Sequence, residues 1–254
     1  MALEIVLLPV LSDNYMYLLH DKATRETACV DPADAELAHS AAMQRGWAIS
    51  KILVTHKHDD HTAGVEALKK ITGASVFGPA AEKIAGQDYG LKGGDKVSVG
   101  DSEAVVIETP GHTKGHIVYY FESGDALMSG DALFVLGCGR LFEGDAKEAW
   151  GYMQLLRTLP PETKIYCGHE YTAANLAFAQ SIDPHNAGLM IYEDDLEDMR
   201  SANKPSIPSN IAFETMMNPY FKSDDPAMMA RLGMEGALPE EVFALIRSKK
   251  DKFK

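Results

Sequence analysis

Apolar Ile52-Leu53-Val54 runs straight into Thr55-His56-Lys57-His58-Asp59-Asp60-His61, so a buried strand has to end in a loop crowded with metal-ligand side chains. Three of the chain's nine histidines fall within the six positions 56–61. Residues i and i+2 of an extended segment share a side, so His56 and His58 converge if extended geometry persists beyond the strand. Asp60 and His61 then sit at the turn into a helix carrying Val65, Leu68 and Ile71, which Gly73 stops. Imidazole and carboxylate together form the donor set of zinc or a neighbouring divalent ion, with no thiolate needed. The plain alternative is a solvated polar loop.

The same arrangement recurs three times downstream. Thr109-Pro110-Gly111-His112-Thr113 follows an apolar run at 104–107, Ser129-Gly130-Asp131 follows one at 126–128, and Cys167-Gly168-His169 closes one at 164–167. A Gly beside each candidate lets backbone approach closely, as a crowded site requires. Any one such His or Asp is more often structural. Together they place ligand types at four strand ends, where functional loops gather.

Around these ends, runs at 5–8, 15–19 and 28–30 read as strands. Asp34 opens a helix that Gly46 closes, with Leu37, Ala41 and Ala42 on one face. Runs at 97–99, 104–107, 117–121, 126–128 and 164–167 form a second strand-rich half, and no internal repeat is visible. Asp145 and Glu148 have the spacing of a capping box for a helix carrying Met153, Leu155 and Leu156. Beyond about Tyr171, segments 172–182, 185–203, 224–232 and 239–250 read as helices punctuated by Pro184, Pro205, Pro208, Pro219 and Pro226. The expectation is a βα-rich domain at 1–171 followed by a mainly helical domain at 172–254.

A chain of 254 residues suffices for one large domain with an appendix. Its net charge of −13 disfavours nucleic acid and anionic membrane surfaces as partners. No apolar run approaches the roughly 20 residues that cross a bilayer. Met1-Ala2-Leu3-Glu4 has neither the basic region nor the apolar core of a secretory signal. Cys29, Cys138 and Cys167, odd in number and far apart, read as free thiols of a reducing compartment. A cytoplasmic enzyme is expected.

His56-Lys57-His58-Asp59-Asp60-His61 resembles the HxHxDH signature of the metallo-β-lactamase superfamily, which implies a four-layered αββα sandwich. Further motifs are similar, in order and spacing, to the glyoxalase II (hydroxyacylglutathione hydrolase) family. They are Asp13-Asn14-Tyr15, Thr109-Pro110-Gly111-His112-Thr113, Gly115-His116, the segment from Gly137 to Gly144, Cys167-Gly168-His169-Glu170-Tyr171-Thr172 and the ending from Arg247 to Phe253. The resemblance covers essentially the whole chain. It implies a thioesterase that cleaves S-(2-hydroxyacyl)glutathione, S-D-lactoylglutathione first, to glutathione and D-lactate. It further implies one divalent ion on His56, His58 and His112, a second on Asp60, His61 and His169, and Asp131 bridging them. Zinc is the leading metal, with iron or manganese as alternatives. A bridging hydroxide would attack the carbonyl. Two ions bring +4, Asp60, Asp131 and the hydroxide remove three, and the residual charge favours the oxyanion. Asp60 and Asp131 are thus catalytic as well as ligands. His116 falls outside the ligand set, and His20, His39 and His185 fall outside the motifs.

Glutathione carries two carboxylates, and Arg247, Lys249, Lys250, Lys252 and Lys254 crowd the end of the last helix. Taken alone, these bases either complement the helix dipole opposite Pro239-Glu240-Glu241 or form an anion site. The resemblance points to Arg247 and Lys250 as glycine-carboxylate contacts, with Arg140, Phe142, His169 and Tyr171 completing the substrate side. Two positions depart from the family. Lys57 stands where relatives often carry His and should point away from the metals. Phe142 stands where some relatives place Tyr, which removes a hydroxyl contact. Cys138 lies near the site without a base partner, and Cys167 should be packed. The enzyme is expected to act as a monomer. The alternatives are another hydrolase of this fold such as a lactonase, an iron persulfide dioxygenase, and a metal-stabilised binding module without turnover. A β-lactamase is disfavoured by the lack of an export signal.

Overall fold

The computed structural model describes residues 3–253; Met1 and Ala2 of the expected signal-free start, and Lys254 of the basic tail, lie outside the described residues. Strand β1 (Glu4–Val10) turns back onto β2 (Asn14–His20), which pairs antiparallel with β3 (Thr27–Val30). Strands β4 (Ile49–Leu53), β5 (Ser75–Pro79) and β6 (Tyr89–Leu91) then add in parallel, giving the order β1-β2-β3-β4-β5-β6. Parallel neighbours need crossovers. Helix α1 (Ala35–Met43) makes the first, and the pair α2 (Asp59–Thr62) and α3 (Val65–Thr72) makes the second.

The second sheet starts as an antiparallel meander of β7 (Lys96–Val99), β8 (Ser102–Glu108), β9 (Ile117–Phe121) and β10 (Ala126–Gly130). A small hairpin, β11 (Leu133–Phe134) with β12 (Gly137–Cys138), and helix α4 (Ala146–Arg157) follow. Strand β13 (Lys164–Cys167) returns parallel to β10, and the short β14 (Ser209–Asn210) closes that edge antiparallel to it. The rest of the chain is α5 (Thr172–Ile182), α6 (Ala187–Ser201), α7 (Ile211–Met217), α8 (Pro226–Leu232) and α9 (Pro239–Lys252).

Three apolar clusters fix the layering. Tyr17, Leu19, Val30 and Leu53 of the first sheet meet Val106, Tyr119, Phe121 and Met128 of the second. The outer face of the first sheet packs on α1 and α3 through Ala38, Ala42 and Leu68. That of the second packs on α4 and the C-terminal helices through Trp150, Met153, Phe178, Phe243 and Ile246. The result is the αββα sandwich with a mainly helical C-terminal part. Asp34 caps α1 by accepting from the Leu37 N–H at 2.9 Å, and the Asp145–Glu148 capping box is present on α4.

Several details differ from the expectations. Leu37 is exposed, and α1 buries Ala35, Ala38, Ala41 and Ala42. Those four follow helical spacing, whereas Leu37, one turn before Ala41, falls at the margin of that face and stays 37% exposed. Ile71 and Leu155 are likewise exposed, while Leu68, Met153 and Leu156 carry the burial. Strands β5, β6 and β14 and helix α7 were not anticipated: Gly78, Pro79 and Gly90 look like turn residues, and two-residue pairing has no period to detect.

Candidate metal centre and adjoining cavity

The ligand-bearing loops meet where the ends of the two sheets are tied together. Ile117 N–H donates across to the Thr55 carbonyl at 3.0 Å, and Tyr15 N–H to that of Gly168 at 2.8 Å. Two glycines make the approach feasible. A Cβ on Gly168 would stand 2.5 Å from Asp131 Oδ1 and 2.6 Å from His61 Cε1. Gly130 has φ +48, and a Cβ there would lie 2.5 Å from Thr55 Oγ1.

Each imidazole is oriented by what its other nitrogen does. Thr55 donates its hydroxyl to Asp31 at 2.7 Å, so toward His56 Nδ1 at 3.0 Å it accepts, which leaves His56 Nε2 bare. His112 Nδ1 donates to the Arg140 carbonyl at 3.0 Å. His61 Nδ1 meets Asp31 Oδ2 at 3.1 Å, and His169 Nδ1 meets Asp13 Oδ1 at 2.9 Å. Four Nε2 atoms therefore face inward. His58 presents Nδ1 instead, 3.1 Å from His56 Nε2 and 2.9 Å from His112 Nε2.

These atoms converge with two carboxylates. Asp131 reaches His112 Nε2 at 3.3 Å, and both His61 and His169 at 3.4 Å. Asp60 Oδ2 lies 3.4 Å from His169 Nε2 and 3.7 Å from His61 Nε2, and is steadied by Asn14 Nδ2 at 2.9 Å. Three donor sets have their ligand atoms within 4.8 Å of one another: His56, His58 and His112; His56, His61 and Asp131; Asp60, His61 and His169. Asp131 Oδ1 is buried without a hydrogen-bond partner. A divalent ion with nitrogen and oxygen ligands at about 2.0–2.2 Å spaces them in this way and would satisfy that orphaned oxygen. The donor set therefore fits two divalent cations.

The protein's own charges make this a field that favours positive charge. Burial pulls His61 down, but Asp131 and Asp31 more than reverse it and hold the ring well above the usual imidazole range. His169 is raised to about 10 against its burial by Asp131 and Asp60. Burial keeps His56 and His112 below that range. Asp60 is held far below the usual carboxylate range, first by its hydrogen bond with His169. Asp131 is low as well, its burial outweighed by His61 and His169.

Behind the ligands, His116 Nε2 accepts from the Asp131 N–H at 3.1 Å, so Nδ1 carries the proton toward Thr109 Oγ1 at 2.8 Å. His20 stacks on Trp47 at 4.2 Å, remote from the cluster. Asp31, Asp13, Asn14 and Thr55 have roles that sequence reasoning did not assign. A signal for Asp31 was present, since it directly follows the run at 28–30 as Asp131 follows its own strand.

A cavity of about 360 Å³ opens beside the cluster, with His112 and Asp131 in its wall. Arg140, Phe142, Tyr171, Arg247 and Lys250 also line it. His169, the sixth residue expected on the substrate side, is not in the lining; its ring stacks on Tyr171 at 4.6 Å. Arg247 is buried, and its Nη1 donates to the Cys138 carbonyl at 2.8 Å. Lys250 Nζ donates to the Ala174 carbonyl at 2.7 Å and sits 5.4 Å from the Phe178 ring centre. Burial, with Arg247 nearby, lowers Lys250 to about 8. The dipole complement exists too, with Glu240 and Glu241 in the first turn of α9 and Lys249, Lys250 and Lys252 in its last.

Lys57 turns outward to Glu143 at 2.6 Å. Phe142 is exposed, with its ring 5.3 Å from that of His112. All three cysteines are buried free thiols, and burial raises Cys138 to about 11 despite Arg247.

Residues 30–169 match the family model of the metallo-beta-lactamase superfamily, and residues 170–253 match that of the hydroxyacylglutathione hydrolase C-terminus. The chain is 47% identical over 247 residues to a hydroxyacylglutathione hydrolase of Maricaulis maris, covering 96% of each chain. It is 46% identical over 254 residues to one of Rhodospirillum rubrum, covering 99% of each. Among solved structures it is similar to ETHE1 from Myxococcus xanthus, with a TM-score of 0.70 and 26% identity over 98% of this chain and 90% of that one.

Proposed function

Since this chain belongs to the hydroxyacylglutathione hydrolase family of the metallo-β-lactamase superfamily, a thioesterase acting on glutathione thioesters at a binuclear metal site, we propose that its substrate is S-D-lactoylglutathione, cleaved to glutathione and D-lactate. The observation that carries this reading is the juxtaposition of a seven-residue donor cluster with a cavity lined by three cations.

In this reading His56, His58 and His112 hold one ion, and Asp60, His61 and His169 hold the other. Asp131 lies between them, a role supported by its contacts to histidines of both sets. Bound divalent ions supply Lewis acidity and make water acidic enough to ionise near neutral pH. The donor set of imidazole and carboxylate suits zinc first, with iron and manganese also accommodated.

The chain's own groups do the rest. Asp60, half-buried and ionised, is held by Asn14 and His169 so that one oxygen faces the cluster, where it can orient a nucleophilic water. Arg247 and Lys250 take the glycine carboxylate, while Arg140, Phe142 and Tyr171 flank the peptide. His169 acts on the substrate side only through Tyr171, which it supports. A thiolate leaves without full protonation, so the cavity needs no dedicated acid.

The reading divides the chain into a catalytic region at 1–171 and a substrate-binding helical region at 172–254. Support comes from the matched segments, which meet at residues 169 and 170. It takes the enzyme as a cytoplasmic monomer. Three buried free thiols accord with a reducing compartment, and no helix of the described residues is long and apolar enough to cross a membrane. The deciding experiment measures thiol release from S-D-lactoylglutathione beside turnover of a lactone and a β-lactam. Faster turnover of either competitor would overturn the substrate assignment.

A further inference from the structure

We propose that Asp251 tunes the substrate-binding cations, holding Arg140 and Arg247 together while weakening their grip on glutathione so that product can leave. The proposal rests on the reading that the cavity beside the metal centre takes the glutathione moiety.

Three N–H groups of two arginines converge on one oxygen. Arg247 Nε and Nη2 lie 3.2 and 3.0 Å from Asp251 Oδ1, and Arg140 Nε lies 3.4 Å from the same atom. Asp251 follows Arg247 by four residues, so both lie on one face of α9. Arg247 Nη1 is already engaged by the Cys138 carbonyl, which leaves the edge shared with Asp251 as the adaptable part of the guanidinium. The Asp251 side chain is 37% exposed while that of Arg247 is 10% exposed, so the carboxylate stands at the solvent side of the pair.

Charge explains why such a group would be useful. Arg140, Arg247 and Lys250 bring three positive charges to one cavity wall, and they repel one another as well as attract an anion. Asp251 offsets one of the three and fixes the geometry of two. The glutathione product keeps both carboxylates of the substrate, so cations that bind the substrate bind the product equally. Stronger attraction would lower KM without speeding the chemical step and would hold product in place. An internal carboxylate beside the same guanidinium groups limits that attraction.

Asp251→Asn removes the charge but keeps the side chain's shape and an acceptor oxygen. The inhibition constant of glutathione, and KM for S-D-lactoylglutathione, should both fall by about three- to ten-fold at low salt, with a smaller change at high salt. The kcat should not rise. A merely structural role gives the opposite sign, because loosened arginines bind more weakly and both constants increase. Asp251→Ala, with its melting temperature recorded, separates lost charge from lost geometry. A glutathione inhibition constant that is unchanged or raised in folded Asp251→Asn overturns the proposal. If glutathione does not inhibit the unsubstituted enzyme and Arg247→Ala leaves KM unchanged, the reading of the cavity fails, and the proposal fails with it.

Discussion

The metal centre and the cation-lined wall stand side by side, yet they are built in different ways. His56, His112 and His169 lie in the loops that follow β4, β8 and β13, His61 lies in α2, and each ring is oriented by one bond to its outward nitrogen. Arg247 and Lys250 come from the last helix. They are fixed by contacts to Cys138 and Ala174, which lie 109 and 76 residues earlier in the chain. Both regions therefore join distant parts of the chain, but the centre gathers residues whose rings are set one by one by partners 1 to 156 residues away, whereas the two cations share one helix docked on backbone carbonyls. Substitutions should sort accordingly, into those that empty the centre and those that shift affinity alone.

The largest effect should come from Asp131→Ala. If the carboxylate that contacts histidines of both donor sets bridges two ions, elemental analysis should find both depleted and activity reduced by more than about 100-fold, the upper end for outer-sphere partners. His169→Ala should empty mainly the second site. Full two-metal occupancy in Asp131→Ala would sink the bridging assignment.

Next in size is Asp13→Ala, which spares every ligand. Asp13 is 40% exposed, so its loss should not threaten the fold, but His169 loses the partner on Nδ1. Metal affinity of one site should weaken by about 10- to 100-fold, with KM little changed once metal is saturating. Loss of both metals, or of neither, would show that the outer partners do not act ligand by ligand.

The same contrast explains what could be read from the sequence. Ligand types gathered after apolar strands drew attention to His56, His58, Asp60, His61, His112, Asp131 and His169; the period of two bears on His56 and His58 alone, and the family resemblance supplied the rest of the ligand set. Asp13 and Asn14 were visible as a motif, but without a task. Their tasks lie with Asp60 and His169, some 46 and 156 residues away. Glu214 was not visible at all: it is buried in α7 and accepts from the Leu136 N–H at 2.8 Å, anchoring the hairpin below the cavity. Leu37 misled through its bulk, since the face of α1 that meets the sheet is made of alanines.

On the recognition side, Lys250→Ala should raise KM for the glutathione thioester about ten-fold with kcat retained, since a hydrogen bond to a charged group is worth about 1.5–3 kcal/mol before screening. Arg247→Ala should do the same and also lose stability, because it leaves the Cys138 carbonyl without its donor at a cost of about 1–3 kcal/mol. A small thioester lacking the tripeptide should be indifferent to both. Unchanged KM with a lowered melting temperature would reject the carboxylate contact and leave dipole complementation as the role of these residues.

The smallest effect is a pH dependence. Burial beside Phe178 and Phe253, with Arg247 close, lowers Lys250 from 10.5 to about 8. Only the protonated amine attracts a carboxylate, so KM should be level below pH 8 and climb above it. If the contact is worth about ten-fold, the bound substrate raises the lysine's pKa by about one unit, to about 9, as linkage requires. Comparing the protonated fractions of free and bound enzyme then predicts a KM about five-fold higher at pH 9 than at pH 7. Lys250→Arg keeps its charge throughout and should be level over this range, and Lys250→Gln should be level at the raised value. The ratio of unsubstituted to Lys250→Arg KM cancels any titration of the substrate's own amine. A constant ratio from pH 7 to pH 9 would remove Lys250 from the substrate site.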